Sequence, residues 1–350
     1  MTVATTYLLA LGFLFAFLLA VVPGRRALDL GAGITLLGVG LVAPQAMCLL
    51  LAMTIGLPLL MRMPAMQARR HWVTLWCVSI AIGLLVLTRF FEPAIWLGAS
   101  YFVLRHVHVV IEWWLGRIAA PSIREHVHFQ LFLPVLVAGP IHRLPAFTRQ
   151  IARRSVTQQD IYMGLERVLL GLGSVVIVAN WALRRLSNLA DELMVNQSLF
   201  LQDWLEGTFS WLQIFFGFGG FSAIAIGLSR IGGIQIEENF RAPWRAVNLV
   251  DFWTRWHISL STWCRDYLYT PIAARFRAPV AGALVSMIGM GLWHDFSAYY
   301  LVWGVWQGTG IALTQILVRQ RIALAPWLLS VSVPLWLTLT QPIINAILRN

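Results

Sequence analysis

The stretch from Asp251 to Ile272, DFWTRWHISLSTWCRDYLYTPI, decides the class of structure that this chain adopts. On a helical wheel of about 100° per residue, its aromatic and apolar residues gather on one face and its polar residues on the other. The stretch therefore predicts one amphipathic helix with an aromatic face. Helices of this kind lie at membrane interfaces. The predicted apolar face consists of Trp253, Trp256, His257, Leu260, Trp263, Cys264 and Tyr267. The predicted polar face consists of Asp251, Arg255, Ser259, Thr262 and Asp266, with Asp251 and Arg255 as an i,i+4 ion pair.

His257 is the exception on this face, a titratable group among apolar residues. One interpretation is a core histidine whose ring nitrogens are hydrogen-bonded. The other is a polar group that lines a path into the bilayer, since ionisable residues inside a membrane usually serve function. The residues alone leave both open.

The composition agrees with a membrane location. Of the 350 residues, 59% are hydrophobic and 12% are charged, whereas soluble domains carry about 25% charged residues. The mean hydropathy is +0.72. These values exclude a soluble enzyme, a disordered chain and a fibrous protein. They predict an all-α polytopic membrane protein, folded as one membrane domain over residues 1–350, with about nine to eleven membrane helices, some of them short or re-entrant.

The basic residues are all arginines, 26 of them against 15 acidic residues, for a net charge of +11. They occur in short loops between apolar runs, as on the cytoplasmic side of membrane proteins. This distribution predicts that the Arg25–Arg26 loop and the basic stretch Arg230–Arg277 are cytoplasmic and that the acidic Asp191–Glu192 loop is outside. No basic nucleic-acid arm is present, so nucleic acid is not an expected partner.

Two further regions place polar residues where apolar ones are expected. Phe129–Arg143 (FQLFLPVLVAGPIHR) is too short to span and contains Pro134, Gly139 and Pro140, which predict a broken or re-entrant segment. Its final His142 and Arg143 are either part of a cytoplasmic loop or a substrate contact.

The other region is Met290–Ser297 (MGLWHDFS), where His294 and Asp295 end an apolar run. His294 is either an interfacial residue at a helix end or a base that takes a proton near pH 7.

Metal binding has little support in the sequence. His106 and His108, and likewise His126 and His128, form two HxH pairs. Because residues two apart on a helix point in different directions, neither pair chelates easily, and no metal site is predicted.

These motifs together resemble the bacterial branch of the membrane-bound O-acyltransferase family. Asp251–Ile272 is similar to its long signature, and GLWHDFSAYYLVWGVWQGTG (Gly291–Gly310) to its second signature. Three weaker matches fall in the right order: LGASYFVLRHVHVVIEWWLG (Leu97–Gly116), LPVLVAGPIHR (Leu133–Arg143) and GFSAIAIGLSRIGGIQIEENFRAPW (Gly220–Trp244). The resemblance therefore covers a core of about residues 97–310.

The resemblance implies a central tunnel with His294 as the catalytic base and His257 as the second characteristic polar residue. A cytoplasmic acyl thioester, acetyl-CoA or an acyl carrier, would donate an acyl group, with acetyl expected, to a hydroxyl of an extracytoplasmic glycan or polyol. Asp295 stands where the family usually has Gly, and an acid there would orient the base, raise its pKa or signal a different acceptor. The further residues that the resemblance assigns to the tunnel or its support are Trp293, Asp295, Trp256, Arg255, Ser261, Arg265, Asp266, Tyr267 and Asn239.

The resemblance also implies a multi-pass protein of a bacterial inner membrane. The expected partners are membrane lipid, a donor or carrier protein on the cytoplasmic side, and a glycan-modifying partner on the other side; no tightly bound cofactor is expected. The alternative function is a transporter or flippase for a lipid-linked or anionic substrate, because broken helices and buried histidines suit that class too. A scaffold that lost catalysis is a third hypothesis.

Overall fold

A computed structural model describes residues 3–90, 98–322 and 325–349, and over these residues the chain is helical with no β-strand. The predicted all-α class is confirmed. Leu97, where the resemblance begins, lies outside the described residues.

The predicted polytopic character is also confirmed. Within the described residues, six helices are long and apolar enough to cross a membrane, and two shorter helices, Leu9–Val21 and Pro279–His294, are apolar. The number of crossings stays a prediction. The six are Pro44–Arg62, Arg70–Leu87, Gln158–Met194, Leu199–Ile231, Ala298–Arg319 and Val331–Arg349.

The chain forms two compact units, one of Met1–Leu170 and Ser222–Glu237 and one of Gly171–Phe221 and Glu238–Asn350. The single membrane domain stays a prediction. The first unit contains α1 (Val3–Val21), α2 (Arg26–Val42), α3 (Pro44–Arg62), α4 (Pro64–Gln67), α5 (Arg70–Phe90), α6 (Ala99–Trp114), α7 (Ile123–Gln130), a 3₁₀ turn (Leu133–Val135), α8 (Leu144–Ala152) and most of α9 (Gln158–Gly173).

The core of the first unit is aromatic and aliphatic. Phe15, Trp113, Phe129, Phe132 and Phe147 are all at most 2% exposed. The predicted break in Phe129–Arg143 is confirmed. Helix α7 ends at Gln130, and the backbone up to α8 is irregular except for the 3₁₀ turn.

The second unit begins with a π-helical segment that continues α9. Its elements are the π segment (Ser174–Leu183), α10 (Arg184–Met194), α11 (Leu199–Ile231, whose last turns belong to the first unit), a 3₁₀ turn (Pro243–Arg245), α12 (Leu249–Trp253), α13 (Ile258–Cys264), a π turn (Arg265–Tyr269), α14 (Thr270–Phe276), α15 (Pro279–His294), α16 (Ala298–Arg319), α17 (Pro326–Thr338) and α18 (Thr340–Arg349).

Helices α15 and α16 pack closely because glycines line their contact. A Cβ atom on Gly304 would lie 2.6 Å from the Cα of Ile288 and 2.7 Å from the carbonyl oxygen of Met287. A Cβ on Gly291 would collide with the carbonyl oxygen of Tyr300. Small residues at a membrane-helix interface allow this approach, and it brings the end of α15 against the start of α16.

Candidate active site

The Asp251–Ile272 stretch does not form the single helix that its periodicity predicts. Helix α12 ends at Trp253, α13 begins at Ile258, and a π turn follows at Arg265–Tyr269. Between the two helices, His257 has φ 42° and ψ 52°, the left-handed conformation. The prediction of one continuous amphipathic helix is therefore wrong.

The break follows from pairing with a segment about twenty residues upstream. The carbonyl oxygen of Asn239 accepts a hydrogen bond from the Ile258 amide at 2.9 Å, and the Arg255 carbonyl accepts one from the Arg241 amide at 2.9 Å. The Asn239 Oδ1 atom accepts bonds from the Ser259 amide at 3.2 Å and the Ser259 hydroxyl at 2.9 Å. Ser259, predicted on the polar face, is only 3% exposed because Asn239 satisfies it.

These contacts fix His257 in the interior, where it is 5% exposed. Its imidazole contacts the Phe218 ring edge to face at a centroid distance of 4.7 Å and lies 6.1 Å from the Trp293 ring. Burial, and then the nearby His294, lower the pKa of His257 well below its usual range. The imidazole is therefore neutral near pH 7.

His294 is the last residue of α15 and is half-buried among aromatic rings. Its imidazole stacks on Tyr300 at a centroid distance of 5.5 Å with the planes 25° apart. Trp293 lies at 4.9 Å and Trp303 at 5.9 Å, both nearly edge to face. The close packing of α15 on α16 thus sets the orientation of His294.

His257 and His294 meet at Trp293, whose ring contacts both imidazoles. The two predicted histidines and Trp293 are therefore brought together. A half-buried imidazole beside a neutral buried one, among aromatic rings, can take a proton from a hydroxyl group and exclude competing water.

A cavity of about 310 Å³ lies near this pair, and we name it the Met290 cavity. Trp253 on its lining contacts Trp303 at a centroid distance of 5.9 Å, and Trp303 contacts His294. The cavity is lined by Val250, Trp253, Thr254, Ser261, Thr262, Cys264, Arg265, Tyr269, Ala283, Ser286, Met287, Met290, Ile311 and Gln315.

The part of the chain that contains this histidine pair matches a known protein family. Residues 115–331 match the family model of the membrane-bound O-acyltransferases. The chain belongs to the membrane-bound O-acyltransferase family. The resemblance predicted from the motifs is confirmed.

Two named members of the family align with more than half of this chain. It is 30% identical over 257 residues to the "Probable alginate O-acetylase AlgI" of Pseudomonas fluorescens, covering 70% of this chain and 51% of that protein. It is 27% identical over 240 residues to the teichoic acid D-alanyltransferase of Streptococcus thermophilus, covering 64% of this chain and 58% of that protein.

A third relative is the peptidoglycan O-acetyltransferase of Helicobacter pylori, 30% identical over 200 residues, which covers 54% of this chain and 37% of that protein. The chain spans about half the length of the alginate O-acetylases that it matches.

Ser261 and Arg265 line the Met290 cavity. The family resemblance assigned both residues to the tunnel or its support. The Ser261 hydroxyl donates a hydrogen bond to the Trp256 carbonyl oxygen at 3.0 Å. The Arg265 guanidinium pairs with the Asp266 carboxylate at 2.9 Å. Ser261 and Arg265 therefore belong to the wall of the cavity and not to the surroundings of the two histidines.

Trp256 is buried in an aromatic cluster of its own. Its ring lies 5.0 Å from Trp211, 5.0 Å from Phe240 and 5.4 Å from Phe252. It supports α12 and α11 against each other.

Arg255 and Tyr267 have structural contacts. Arg255 makes the predicted ion pair with Asp251 at 2.8 Å. The Tyr267 ring lies 5.0 Å from Trp263.

The Asp295 carboxylate makes no hydrogen bond or ion pair among the residues that the structure describes, although the Asp295 amide donates to the Gly291 carbonyl at 3.1 Å. The hypotheses that an acid at this position orients the base, raises its pKa or signals a different acceptor stay predictions. The extended backbone of Asp295, with φ −162°, ends α15 directly after His294.

The sequence-based assignment missed the aromatic residues around the histidines. Phe218, Tyr300 and Trp303 contact the two imidazoles, and Cys264 and Gln315 line the Met290 cavity. Tyr300 and Trp303 fall within the quoted Gly291–Gly310 motif, six and nine residues after its His, which was the available signal.

The histidines of the two HxH pairs point in different directions. The His106 and His126 rings meet edge to face at 5.0 Å, the His108 Nε2 accepts a hydrogen bond from the Leu144 amide at 3.1 Å, and His128 pairs with Asp29 at 2.8 Å. Across residues 3–90, 98–322 and 325–349, no group of three or more His, Cys, Asp or Glu side chains is arranged to hold a metal ion.

His142 lies inside the first unit and is not part of a solvated loop. It is 7% exposed, and its ring lies 4.6 Å from Phe129 and 4.8 Å from Phe147. Arg143 approaches the His108 Nδ1 atom at 3.5 Å. Whether this segment faces the cytoplasm, and whether the pair contacts substrate, stay predictions.

Proposed function

We propose that this chain is a membrane-embedded O-acyltransferase. It moves an acyl group, with acetyl expected, from a cytoplasmic thioester to a hydroxyl of an extracytoplasmic glycan or polyol. The observation that carries the proposal is the meeting of His257 and His294 at Trp293 beside the Met290 cavity. Membership of the membrane-bound O-acyltransferase family and the printed names of its relatives support the reaction class.

His294 is the proposed general base, because it is the more accessible imidazole of the pair. Its ring nitrogen takes the proton of the acceptor hydroxyl as the oxygen attacks the thioester carbonyl carbon. The carbon–sulfur bond breaks, the thiolate leaves, and the imidazolium returns the proton to the sulfur. General base catalysis contributes roughly 10²–10⁴-fold, and holding both substrates in line contributes further.

His257 is the proposed partner that positions the reacting groups. Its imidazole is fixed by the Asn239 contacts and stays neutral because burial lowers its pKa. A neutral imidazole beside His294 adds no like charge when His294 takes its proton, so proton uptake there is not opposed.

The Met290 cavity is the proposed site of the thioester donor. Its volume of about 310 Å³ lies at the lower end of the range of small-molecule sites. Arg265 lines it with a guanidinium that is 61% exposed, which suits the anionic end of acetyl-CoA or an acyl carrier. The donor is a co-substrate that leaves after each turnover and not a resident cofactor.

The proposed location is a bacterial inner membrane, with Arg230–Arg277 facing the cytoplasm. A basic face there suits an anionic donor or carrier protein. The acceptor then arrives from the other side, with membrane lipid around the chain and a glycan-modifying protein as a further partner.

The transporter alternative predicts that no acyl product forms and that a base at position 294 is not required. Family membership favours the enzyme. The two functions are separated by one measurement on the host's surface glycans.

The experiment measures ester-linked acyl groups by mass spectrometry in the wild type, a deletion strain and strains that carry His294→Ala or His71→Ala. His71 is the matched control because it is an exposed histidine at the start of α5. Each variant is first quantified in the membrane fraction. We expect esters with the wild type and His71→Ala, and a loss of about 100-fold or more with His294→Ala.

Identical esters in the wild type and the deletion strain, on every glycan and lipid fraction, would refute the enzyme and favour transport. Full ester levels with His294→Ala would refute the role of the base.

A further inference from the structure

A second cavity of about 370 Å³ lies in the second unit, where α10 and α11 meet, and we name it the Glu206 cavity. Its lining is mainly polar and includes Ser187 and Asp191 of α10 and Gln202, Glu206 and Gln213 of α11. Asp191 and Glu206 are exposed at its surface. The cavity differs from the Met290 cavity in position and in chemistry.

The polar groups of this cavity are available to a ligand. The side chains of Ser187, Asp191, Glu206 and Gln213 make no hydrogen bond or ion pair with the rest of the described chain. Gln202 uses its amide nitrogen to bond the Gln197 carbonyl at 3.0 Å, which leaves its carbonyl oxygen as an acceptor. Carboxylates, amides and hydroxyls are the groups that bind several hydroxyls of a polyol at once.

The charge of the lining restricts the ligand. Asp191 and Glu206 are both acidic, and none of the residues that line the cavity is Arg, Lys or His. A uronate or phosphate group would therefore meet like charge, which opposes binding. An uncharged polyol would not. The Phe209 ring, also on the lining, offers an apolar surface to the C–H face of a sugar.

The predicted orientation of the chain puts this cavity on the outer side. Helix α11 has 33 residues, which corresponds to about 50 Å and exceeds the roughly 30 Å hydrocarbon core. The cavity is lined by the first half of α11, from Gln202 to Gln213, and by the second half of α10, which contains Asp191. The sequence predicts that the Asp191–Glu192 segment is outside, and this orientation stays a prediction.

Helix α11 links the Glu206 cavity to the histidine pair. Gln213 of α11 lines the cavity. Phe218, five residues or about 7.5 Å further along the same helix, contacts the His257 imidazole edge to face at a centroid distance of 4.7 Å. The Met290 cavity is lined by residues of α12, α13, α15 and α16. The two cavities therefore reach the histidine pair through different helices.

We propose that the Glu206 cavity binds the acceptor and that the acceptor is an uncharged polyol or neutral glycan, not a polyuronate or a phosphate polymer. This deepens the proposed function and rests on it. The printed names of two relatives refer to alginate and teichoic acid. In this chain, the acidic lining of the Glu206 cavity opposes the binding of acidic acceptors of that kind.

The test uses the full chain in its host. A deletion strain is complemented with the wild type, with the double variant Asp191→Asn, Glu206→Gln, or with Glu192→Gln. Glu192 is the matched control, since it is exposed beside Asp191 but does not line the cavity. Surface glycans are separated by anion exchange into uncharged and acidic fractions, and ester-linked acyl groups are measured in each. Equilibrium binding of a non-hydrolysable acetyl-CoA analogue to isolated membranes reports the donor side separately.

We expect wild-type esters in the uncharged fraction. The double variant should lose about tenfold or more of these esters, because hydrogen bonds to charged partners are the strong ones. Its binding of the acetyl-CoA analogue, and the esters of the Glu192→Gln strain, should stay within twofold of the wild type. If the double variant accumulates poorly in the membrane, Gln213→Leu is judged by the same two readouts.

Esters confined to the acidic fraction would overturn the proposal, as would unchanged esters in the double variant or an equal loss of binding of the acetyl-CoA analogue. Identical esters in wild-type and deletion strains would instead refute the proposed function, so the two failures are distinguishable.

Discussion

The Tyr300 ring stacks on the His294 imidazole, with centroids 5.5 Å apart and planes inclined by 25°. Tyr300 lies in the first turn of α16. Gly291 of α15 packs against the carbonyl oxygen of Tyr300. The orientation of the proposed base thus depends on its contact with a neighbouring helix.

We predict that Tyr300→Leu lowers ester formation about tenfold at equal protein level, since misoriented catalytic groups are costly. Tyr300→Phe keeps the stacked ring and should retain more activity than Tyr300→Leu. Mass spectrometry of glycan esters measures both. Equal activity in Tyr300→Leu and the wild type would show that the stack does not position His294.

Gly304→Ala should destabilise the α15–α16 pair, because its Cβ would lie 2.6 Å from the backbone of Ile288. Overpacking of this kind costs typically 1–3 kcal/mol. Gly56→Ala in α3 is the control, since nothing lies within 4 Å of its Cβ position.

Thermal unfolding in detergent, followed by loss of the monodisperse chromatographic peak, compares the two variants. We expect a lower midpoint for Gly304→Ala and a midpoint at or above the wild type for Gly56→Ala. A wild-type midpoint for Gly304→Ala would contradict the close approach.

Burial that lowers the pKa of His257 makes stability depend on pH. In the unfolded chain, His257 takes up a proton as the pH falls below about 6.5, whereas in the folded chain it stays neutral. Its contribution to the free energy of unfolding therefore falls by up to about 1.4 kcal/mol per pH unit below that value.

His257→Asn removes this contribution and tolerates the left-handed backbone. The loss of midpoint between pH 7.5 and pH 5.5 should be smaller in His257→Asn than in the wild type. An equal loss in both would mean that His257 titrates in the folded protein as it does in the unfolded chain.

Arg105 and Arg154 should respond in opposite ways to replacement by Met. Arg105 is fully buried, and none of its guanidinium nitrogens has a hydrogen-bond partner in the described part of the chain. Arg154 donates hydrogen bonds to the carbonyl oxygens of Leu19, Val22 and Gly24. An apolar side chain in place of a buried, unpaired charge is commonly stabilising, whereas the loss of donors leaves carbonyls unsatisfied.

We expect a higher unfolding midpoint for Arg105→Met and a lower one for Arg154→Met, measured as for Gly304→Ala. A lower midpoint for Arg105→Met would indicate that the guanidinium is compensated by a bound anion or water.

Much of this structure was predictable from local sequence. Pro134, Gly139 and Pro140 indicated the break after α7, and the polar pair His294–Asp295 indicated the end of the apolar helix α15. Local rules succeeded at these positions because helix breakers and polar residues in apolar runs act through their own backbone or charge.

The left-handed His257 was not predictable in the same way. A helical wheel assumes continuous helix, and the break depends on Asn239, which lies eighteen residues before His257. The stacking of Tyr300 and the two cavities likewise depend on how α15, α16, α10 and α11 pack, which no local pattern encodes.

The central claim is tested most directly in inverted membrane vesicles from the deletion strain that carry the wild type or His294→Ala. These vesicles expose the cytoplasmic face to acetyl-CoA labelled with ¹³C in the acetyl group and retain the host's acceptor and partners. Mass spectrometry then measures labelled acetyl esters on the vesicle glycans. We predict label with the wild type and a loss of about 100-fold or more with His294→Ala. Equal label with both proteins would contradict the account.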